Sequence, residues 1–207
     1  MGQPSAGHLT GAETGVLFAS LFMMAISNSF VFAILPPVGR GYGLSELQIS
    51  LIVSPAALVF VIGSGLWGFV SERVGRKPLI VTALVAGGIA TACLGAVLAA
   101  REANALTVGT TFILLMLSRI AFGALGSGLM PSAQAYVADR TSHQRRTGSM
   151  AAIGAGFPFG LICGPGLAAA TTGFGIEVPF YVAGLLSLLV LPFVLIFLSE
   201  PRHLRPK

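Results

Sequence analysis

Charge is what this chain has least of. Only 9% of its 207 residues are Asp, Glu, Lys or Arg, against about a quarter in an ordinary soluble domain, and 55% are hydrophobic. A soluble fold of this length cannot hide so much apolar surface. Cysteine is scarce as well: Cys93 and Cys163 both lie inside apolar runs, which supports small packing residues and not a disulfide framework. The three histidines, His8, His143 and His203, all fall outside those runs. No histidine is therefore placed in a membrane to activate a serine. There is no P-loop, no H-E-x-x-H and no Cys/His cluster, so the expectation is a chain that is not an enzyme and takes no metal or other cofactor. No basic stripe interleaves with aromatics, so the net charge of +5 does not read as a nucleic-acid footprint. The N-terminus has no Lys or Arg before its apolar run, which argues against a cleaved signal peptide.

What is abundant is long apolar sequence. Several runs exceed the roughly 18 to 20 residues that cross a bilayer. Six spans are predicted, at 15–37, 48–70, 79–100, 109–134, 148–170 and 178–198. Residues 1–14 and 199–207 are then tails flanking a six-span unit at 15–198. In lipid such a chain has to be helical throughout. The fold class is an all-α membrane protein, and the lipid bilayer is its first partner.

The few charges are sorted by side. The second and fourth linkers and the C-terminal tail hold Arg73, Arg76, Lys77, Arg140, Arg145, Arg146, Arg202, Arg205 and Lys207, whereas the other linkers hold only Arg40 and Arg101. Basic residues stay in the cytoplasm, so the chain is expected in the cell membrane as a multi-pass protein with both termini cytoplasmic. A short echo, "FVSER" at 69–73 and "YVADR" at 136–140, hints at two three-helix units of the kind found in transporters.

The second linker, "GFVSERVGRKP", resembles the Gly-x-x-x-Asp-Arg-x-Gly-Arg-Lys signature of the major facilitator superfamily. Gly68, Arg73, Gly75, Arg76 and Lys77 match it, and Glu72 stands where the family usually has Asp. Arg119-x-x-x-Gly123 is similar to the second signature, in span four. "YVADRTSHQRR" resembles the following loop, with Asp139 and Arg146 at its ends. "GLICGPGLAA" resembles the Gly-Pro signature of span five in twelve-span drug:proton antiporters such as the tetracycline-type exporters, with Ala168 and Ala169 in place of its Gly-Gly. "FAILPP" at 32–37 is similar to the end of span one in the same exporters. The resemblance covers nearly the whole chain, but the family has twelve spans where this chain has six.

The resemblance implies the N-terminal half of a transporter, with half of a major facilitator fold and proton-driven export of small, often apolar or cationic molecules. Protons, a small-molecule substrate and a second six-span half, supplied by another chain or lost by truncation, are the partners it implies. An inactive fragment or a six-span scaffold without transport is the alternative. The resemblance further implies a latch in which Glu72, Arg76 and Asp139 form a charge network closing one face. Gly75 suits the tight turn because it tolerates positive φ. Arg119, deep in span four, is a costly charge that normally faces a cavity or a partner. With Asn28 of span one it is the candidate cavity and coupling pair, and every carboxylate in the sequence lies at or near a span end. Span five carries a small residue at 148, 152, 156, 160, 164 and 168, a face that lets helices approach closely. Gly156, Gly160, Gly164 and Pro165 are the candidate packing hinge, with a bend allowed at Pro158 and Pro165.

Overall fold

The structure, a computed structural model, describes residues 9–200. Most of the two expected tails, with His8 and His203, lies outside the described residues. Among the described residues nine helices follow one another: α1 (Gly11–Gly41), α2 (Glu46–Val74), α3 (Arg76–Glu102), α4 (Val108–Gly126), α5 (Leu129–Arg140), α6 (His143–Gly154), α7 (Gly156–Thr172), α8 (Val178–Leu189) and α9 (Leu191–Phe197). They make six spans long and apolar enough to cross a membrane: α1, α2, α3, α4 with α5, α6 with α7, and α8 with α9.

The ends of the spans are set by local chemistry that hydropathy does not register. Thr10 and Glu13 form a reciprocal capping box, with the Glu13 N–H 3.2 Å from Thr10 Oγ1 and the Thr10 N–H 2.8 Å from Glu13 Oε2. The helix thus begins at Gly11, inside the segment expected as a tail. Ser45 and Gln48 repeat the device on α2, and Thr107 caps α4. Each satisfies backbone donors that a helix start leaves open. The charged fourth linker shrinks to Thr141 and Ser142, because helix continues through Arg140 and resumes at His143.

Three spans are jointed, whereas the sequence suggested a bend only in span five. The joints fall at 127–128, at Ala155 and at Val190, each within four residues before a proline (Pro131, Pro158 or Pro192). Proline cannot donate to the carbonyl four residues back, so the preceding turn is freed. Pro36, Pro37, Pro55 and Pro165 lie inside unbroken helices.

The packing has a twofold pattern. Span one lies parallel to span five, since Gly156, Gly160 and Gly164 approach Phe18, Phe22 and Ser29 in rising order. Span two lies parallel to span four in the same manner, with Ala56 against Gly123 and Gly63 against Ser127. Spans three and six are antiparallel: Gly88 faces Gly184 and Leu188, while Gly95 faces Glu177 and Phe180. Exchanging spans one, two and three for four, five and six reproduces the same contacts. The bundle is therefore two three-helix units of inverted orientation. The echo at 69–73 and 136–140 is not this repeat. It lies on spans two and four, which are neighbours at one end and not equivalents.

Two apolar cores stack along the bundle. One gathers Leu17, Leu21, Tyr136, Val137, Ile153 and Leu198 near the end where both described chain ends lie. The other gathers Phe30, Ile52, Leu94, Leu98 and Phe180 toward the opposite end, with Phe30 and Phe180 edge to face at 6.4 Å. Large apolar side chains remain exposed on the outer surface, such as Leu58, Ile62 and Leu66 on α2 and Ile162 on α7.

Candidate functional site

The turn between α2 and α3 is a single residue. Gly75 has φ 113° and ψ 157° and donates its N–H to the Ser71 carbonyl at 3.1 Å, a conformation L side chains rarely adopt. It aims the buried Arg76 across the end of the bundle. Arg76 Nε donates to Asp139 Oδ2 at 3.1 Å, and Arg76 Nη1 also bonds Ser71 Oγ. Glu72 is exposed and joins no hydrogen bond or ion pair among the described residues. It points away because the helix turn that carries Ser71 inward carries Glu72 outward. Arg73 is exposed too, its guanidinium 4.7 Å from the Phe69 ring centre. Gly68 passes Pro131 at ordinary contact distance.

Glu200 takes the position at the start of α3. Its two carboxylate oxygens accept from the N–H groups of Arg76 at 2.6 Å and Lys77 at 3.0 Å. A carboxylate there meets both open donors and the positive end of the helix dipole. Lys77 Nζ donates back to the Leu195 carbonyl at 2.7 Å. Beside it, Glu13 accepts from Tyr136 Oη at 2.8 Å and pairs with Arg140 at 3.4 Å. Arg140 bonds the Ser199 carbonyl at 2.7 Å, and the Ser199 N–H reaches Tyr136 Oη at 3.2 Å. A belt of charge thus ties the start of α1, the end of α5, the start of α3 and the segment after α9. Glu13, Tyr136, Arg140 and Glu200 were not singled out in the sequence. The only signal there was that carboxylates cluster at span ends.

At the opposite end Tyr42 Oη donates to Glu102 at 2.7 Å, and Arg101 reaches the Tyr42 carbonyl at 3.3 Å. Burial, followed by the hydrogen bond to Glu102, holds the Tyr42 phenol above its ordinary value.

Between these ends lies Arg119. It is the twelfth residue of α4, about 16 Å along the helix, and only 6% exposed. Its Nη2 donates to Asn28 Oδ1 on α1 at 2.7 Å, and its guanidinium lies 4.8 Å from the Phe122 ring centre. The Nε atom is buried and has no hydrogen-bond partner. Gly123, one turn on, lets α2 come in: a Cβ there would stand 2.5 Å from the Ala56 carbonyl oxygen. Arg119 and Asn28 line a cavity of about 190 Å³ whose other walls include Val53, Phe60, Phe122 and Phe157. A wider groove of about 820 Å³ between α3 and α4 is lined by aliphatic side chains with Thr82, Cys93 and Ser118, and has no charged lining residue. The smaller cavity is the one with chemistry in it.

The small-residue stripe is half realised. Gly156, Gly160, Gly164 and Ala168 are buried against α1, where a Cβ on Gly156 or Gly160 would press within 2.6 Å of a backbone oxygen. Gly148 and Ala152, on the other side of the joint at Ala155, are exposed. Pro165 causes no break.

A family model described as Major Facilitator Superfamily matches residues 17–207. The chain belongs to the Major Facilitator Superfamily. Among characterised relatives it is 28% identical over 190 residues to the quinolone resistance protein NorA of Staphylococcus aureus, covering 90% of this chain and 45% of that protein. It is 27% identical over 174 residues to multidrug resistance protein 2 of Bacillus subtilis, covering 84% and 40%. Among solved structures, the human organic anion transporter MFSD10 superposes with a TM-score of 0.75 at 22% identity, over 98% of this chain and 50% of that one. A bacterial homolog of the human lysosomal transporter Spinster, inward-facing and occupied, gives 0.75 at 18% identity, over 91% and 44%. The chain spans about half the length of the curated relatives it matches.

Proposed function

We propose that this chain is one six-span half of a secondary transporter that exports drugs or metabolites across the cell membrane in exchange for protons, with both termini in the cytoplasm. The observation that carries the reading is Arg119: a buried guanidinium, on the wall of a membrane-depth cavity, held by one neutral partner. A charge at that depth costs about 2.5 to 3.5 kcal/mol on insertion scales, and a purely structural helix has no use for it. Two relatives are named for resistance to quinolones or multiple drugs, which supports efflux. The basic residue count supports a cytoplasmic position for the belt end.

The parts divide naturally. Arg119 and Asn28 meet the substrate on one wall of a cavity whose other wall belongs to a second six-span half. Arg76 and Asp139 hold spans two and four together at the cytoplasmic face while the cavity faces out. The Gly156–Gly164 surface lets span five move against span one without side chains in the way. Every carboxylate of this half stands at a span end, so the group that takes up and releases the proton inside the cavity belongs to the second half.

Proteoliposomes test this. One set holds the chain alone. The other holds it joined to the second half of a NorA-type relative, with a pH gradient and a fluorescent quinolone. Gradient-dependent movement is expected only in the joined form and is lost in Arg119→Gln. Movement by the monomeric chain alone overturns the half-transporter reading. No movement in a well-folded joined form overturns transport.

A further inference from the structure

Arg119 is a cation without an anion. Its one hydrogen-bond partner is the neutral Asn28 Oδ1, its Nε is buried and unpaired, and a ring face covers one side. The carboxylates sit far off in the chain's ends and turns: Glu13 in the first turn of α1, Glu46 at the start of α2, Glu72 in the last turn of α2, Glu102 at the end of α3, Asp139 in the last turn of α5, Glu177 before α8 and Glu200 after α9. A buried charge with neither a counter-ion nor a full set of hydrogen bonds is strongly disfavoured, and what it accepts best is a ligand that supplies both. Arginine offers its donors as a planar fork that fits a carboxylate edge-on. The nitrogen left to the cavity is Nη1, which makes no hydrogen bond and is not enclosed as Nε is. Asn28 spends its oxygen on Arg119, so its amide N–H groups face outward as further donors. The other walls, Val53, Phe60, Phe122 and Phe157, are apolar and largely aromatic, the usual setting for an apolar ligand body fixed by a few polar groups.

We propose that this cavity selects amphiphilic anions: small aromatic or apolar molecules carrying one carboxylate or a similar planar oxyanion. The oxyanion lies on Nη1 of Arg119 and on the Asn28 amide, and the apolar body lies against Phe60 and Phe157. This departs from the apolar or cationic substrates that the sequence resemblance implies. A cation in the same place would sit beside Arg119 with no acidic side chain on this wall to offset the repulsion. The proposal rests on the reading of this cavity as the transported molecule's site. It concerns which molecule the wall accepts, and not whether the wall moves.

The test is binding by the purified full chain in lipid nanodiscs, with no gradient and no flux. Three probes share one ring system: 1-naphthoate, 1-naphthylmethylammonium and neutral 1-naphthalenemethanol. Equilibrium dialysis is expected to show saturable naphthoate binding at least tenfold tighter than that of the ammonium. Arg119→Gln is expected to weaken naphthoate at least tenfold and erase the preference over the ammonium. Arg119→Lys keeps the sign of the preference but binds naphthoate several-fold more weakly, since it loses the fork. Asn28→Ala, which keeps the cation, also weakens naphthoate several-fold and serves if Arg119→Gln does not fold. Equal binding of anion and cation by the wild type overturns the proposal. So does an anion preference that survives Arg119→Gln, or an Asn28→Ala variant with unchanged naphthoate affinity. Failed transport would leave an anion-selective cavity standing, and a failed anion preference would leave transport open with another substrate class.

Discussion

Ser29 Oγ donates to the carbonyl of Leu161 at 3.2 Å. That carbonyl is the one Pro165 leaves without its helical donor, since proline has no N–H to offer four residues back. A side chain from α1 thereby repairs α7, and the helix runs through Pro165 unbroken. Ser29→Ala should leave a bare carbonyl within the membrane and cost about 1 kcal/mol. Thermal unfolding in detergent checks this, and a Pro165→Ala background should erase the loss. If Ser29→Ala costs the same in both backgrounds, the hydroxyl does not serve the proline.

The same interface limits side-chain size. A Cβ on Gly160 would meet the Phe22 carbonyl oxygen at 2.5 Å and Ala25 Cβ at 2.7 Å, and one on Gly164 would collide with Ser29. Gly160→Leu should separate the helices and cost about 3 kcal/mol or more, seen as loss of monodisperse protein. Gly148→Leu, on the exposed end of the same stripe, should be nearly silent. Equal effects at the two positions would refute the half-realised stripe.

Arg76 and Lys77 are adjacent but unequal. Arg76 is buried on Asp139 and Ser71, whereas the side chain of the half-buried Lys77 reaches one backbone oxygen. Arg76→Ala should cost about 2 kcal/mol by removing both the ion pair with Asp139 and the bond to Ser71. Lys77→Ala should stay within about 0.5 kcal/mol. Melting temperatures of the two variants, and of Asp139→Asn, decide it. Similar small losses for both would reduce the turn to a topological signal.

Tyr42 gives a pH signature. Burial and the bond to Glu102 favour its neutral phenol, so its folded value is raised, while an unfolded tyrosine ionises near pH 10. Its contribution is fully present below about pH 10 and is lost as pH rises beyond that. Melting temperature should fall from pH 9 to 11.5 more steeply in wild type than in Tyr42→Phe. Parallel curves would show that the phenol does not matter.

Orientation can be read chemically. With Cys93 and Cys163 replaced, a cysteine at Ala103 should react with an impermeant maleimide from outside intact cells. One at His143 should react only after permeabilisation. Labelling at 143 in intact cells would invert the assignment.

The spans were legible because insertion into lipid depends on little more than the length of an apolar run. Arg119 stood out for the same reason, as a charge where charge is costly. Asn28 was the one strongly polar side chain in span one and proved to be its partner. The belt was not legible. Glu13, Tyr136 and Arg140 come together only once spans one and four are side by side, and Glu200 reaches α3 across more than a hundred residues of chain. Which proline would break its span was hidden too, since Pro158 and Pro165 look alike in sequence. What separates them is the hydroxyl of Ser29, which belongs to another helix.

Stiffness is unevenly shared between the two units. Spans one to three are single rods, 27 to 31 residues long, and two of them meet at one rigid corner, Gly75. Spans four to six are each articulated, at 127–128, 155 and 190. Two units built on one plan therefore have different mechanics. The first behaves as a chassis and the second as the suspension. When the cavity changes shape, the displacement should concentrate in those three joints, while Asn28 stays fixed and Arg119, riding eight residues before a joint, is carried past it.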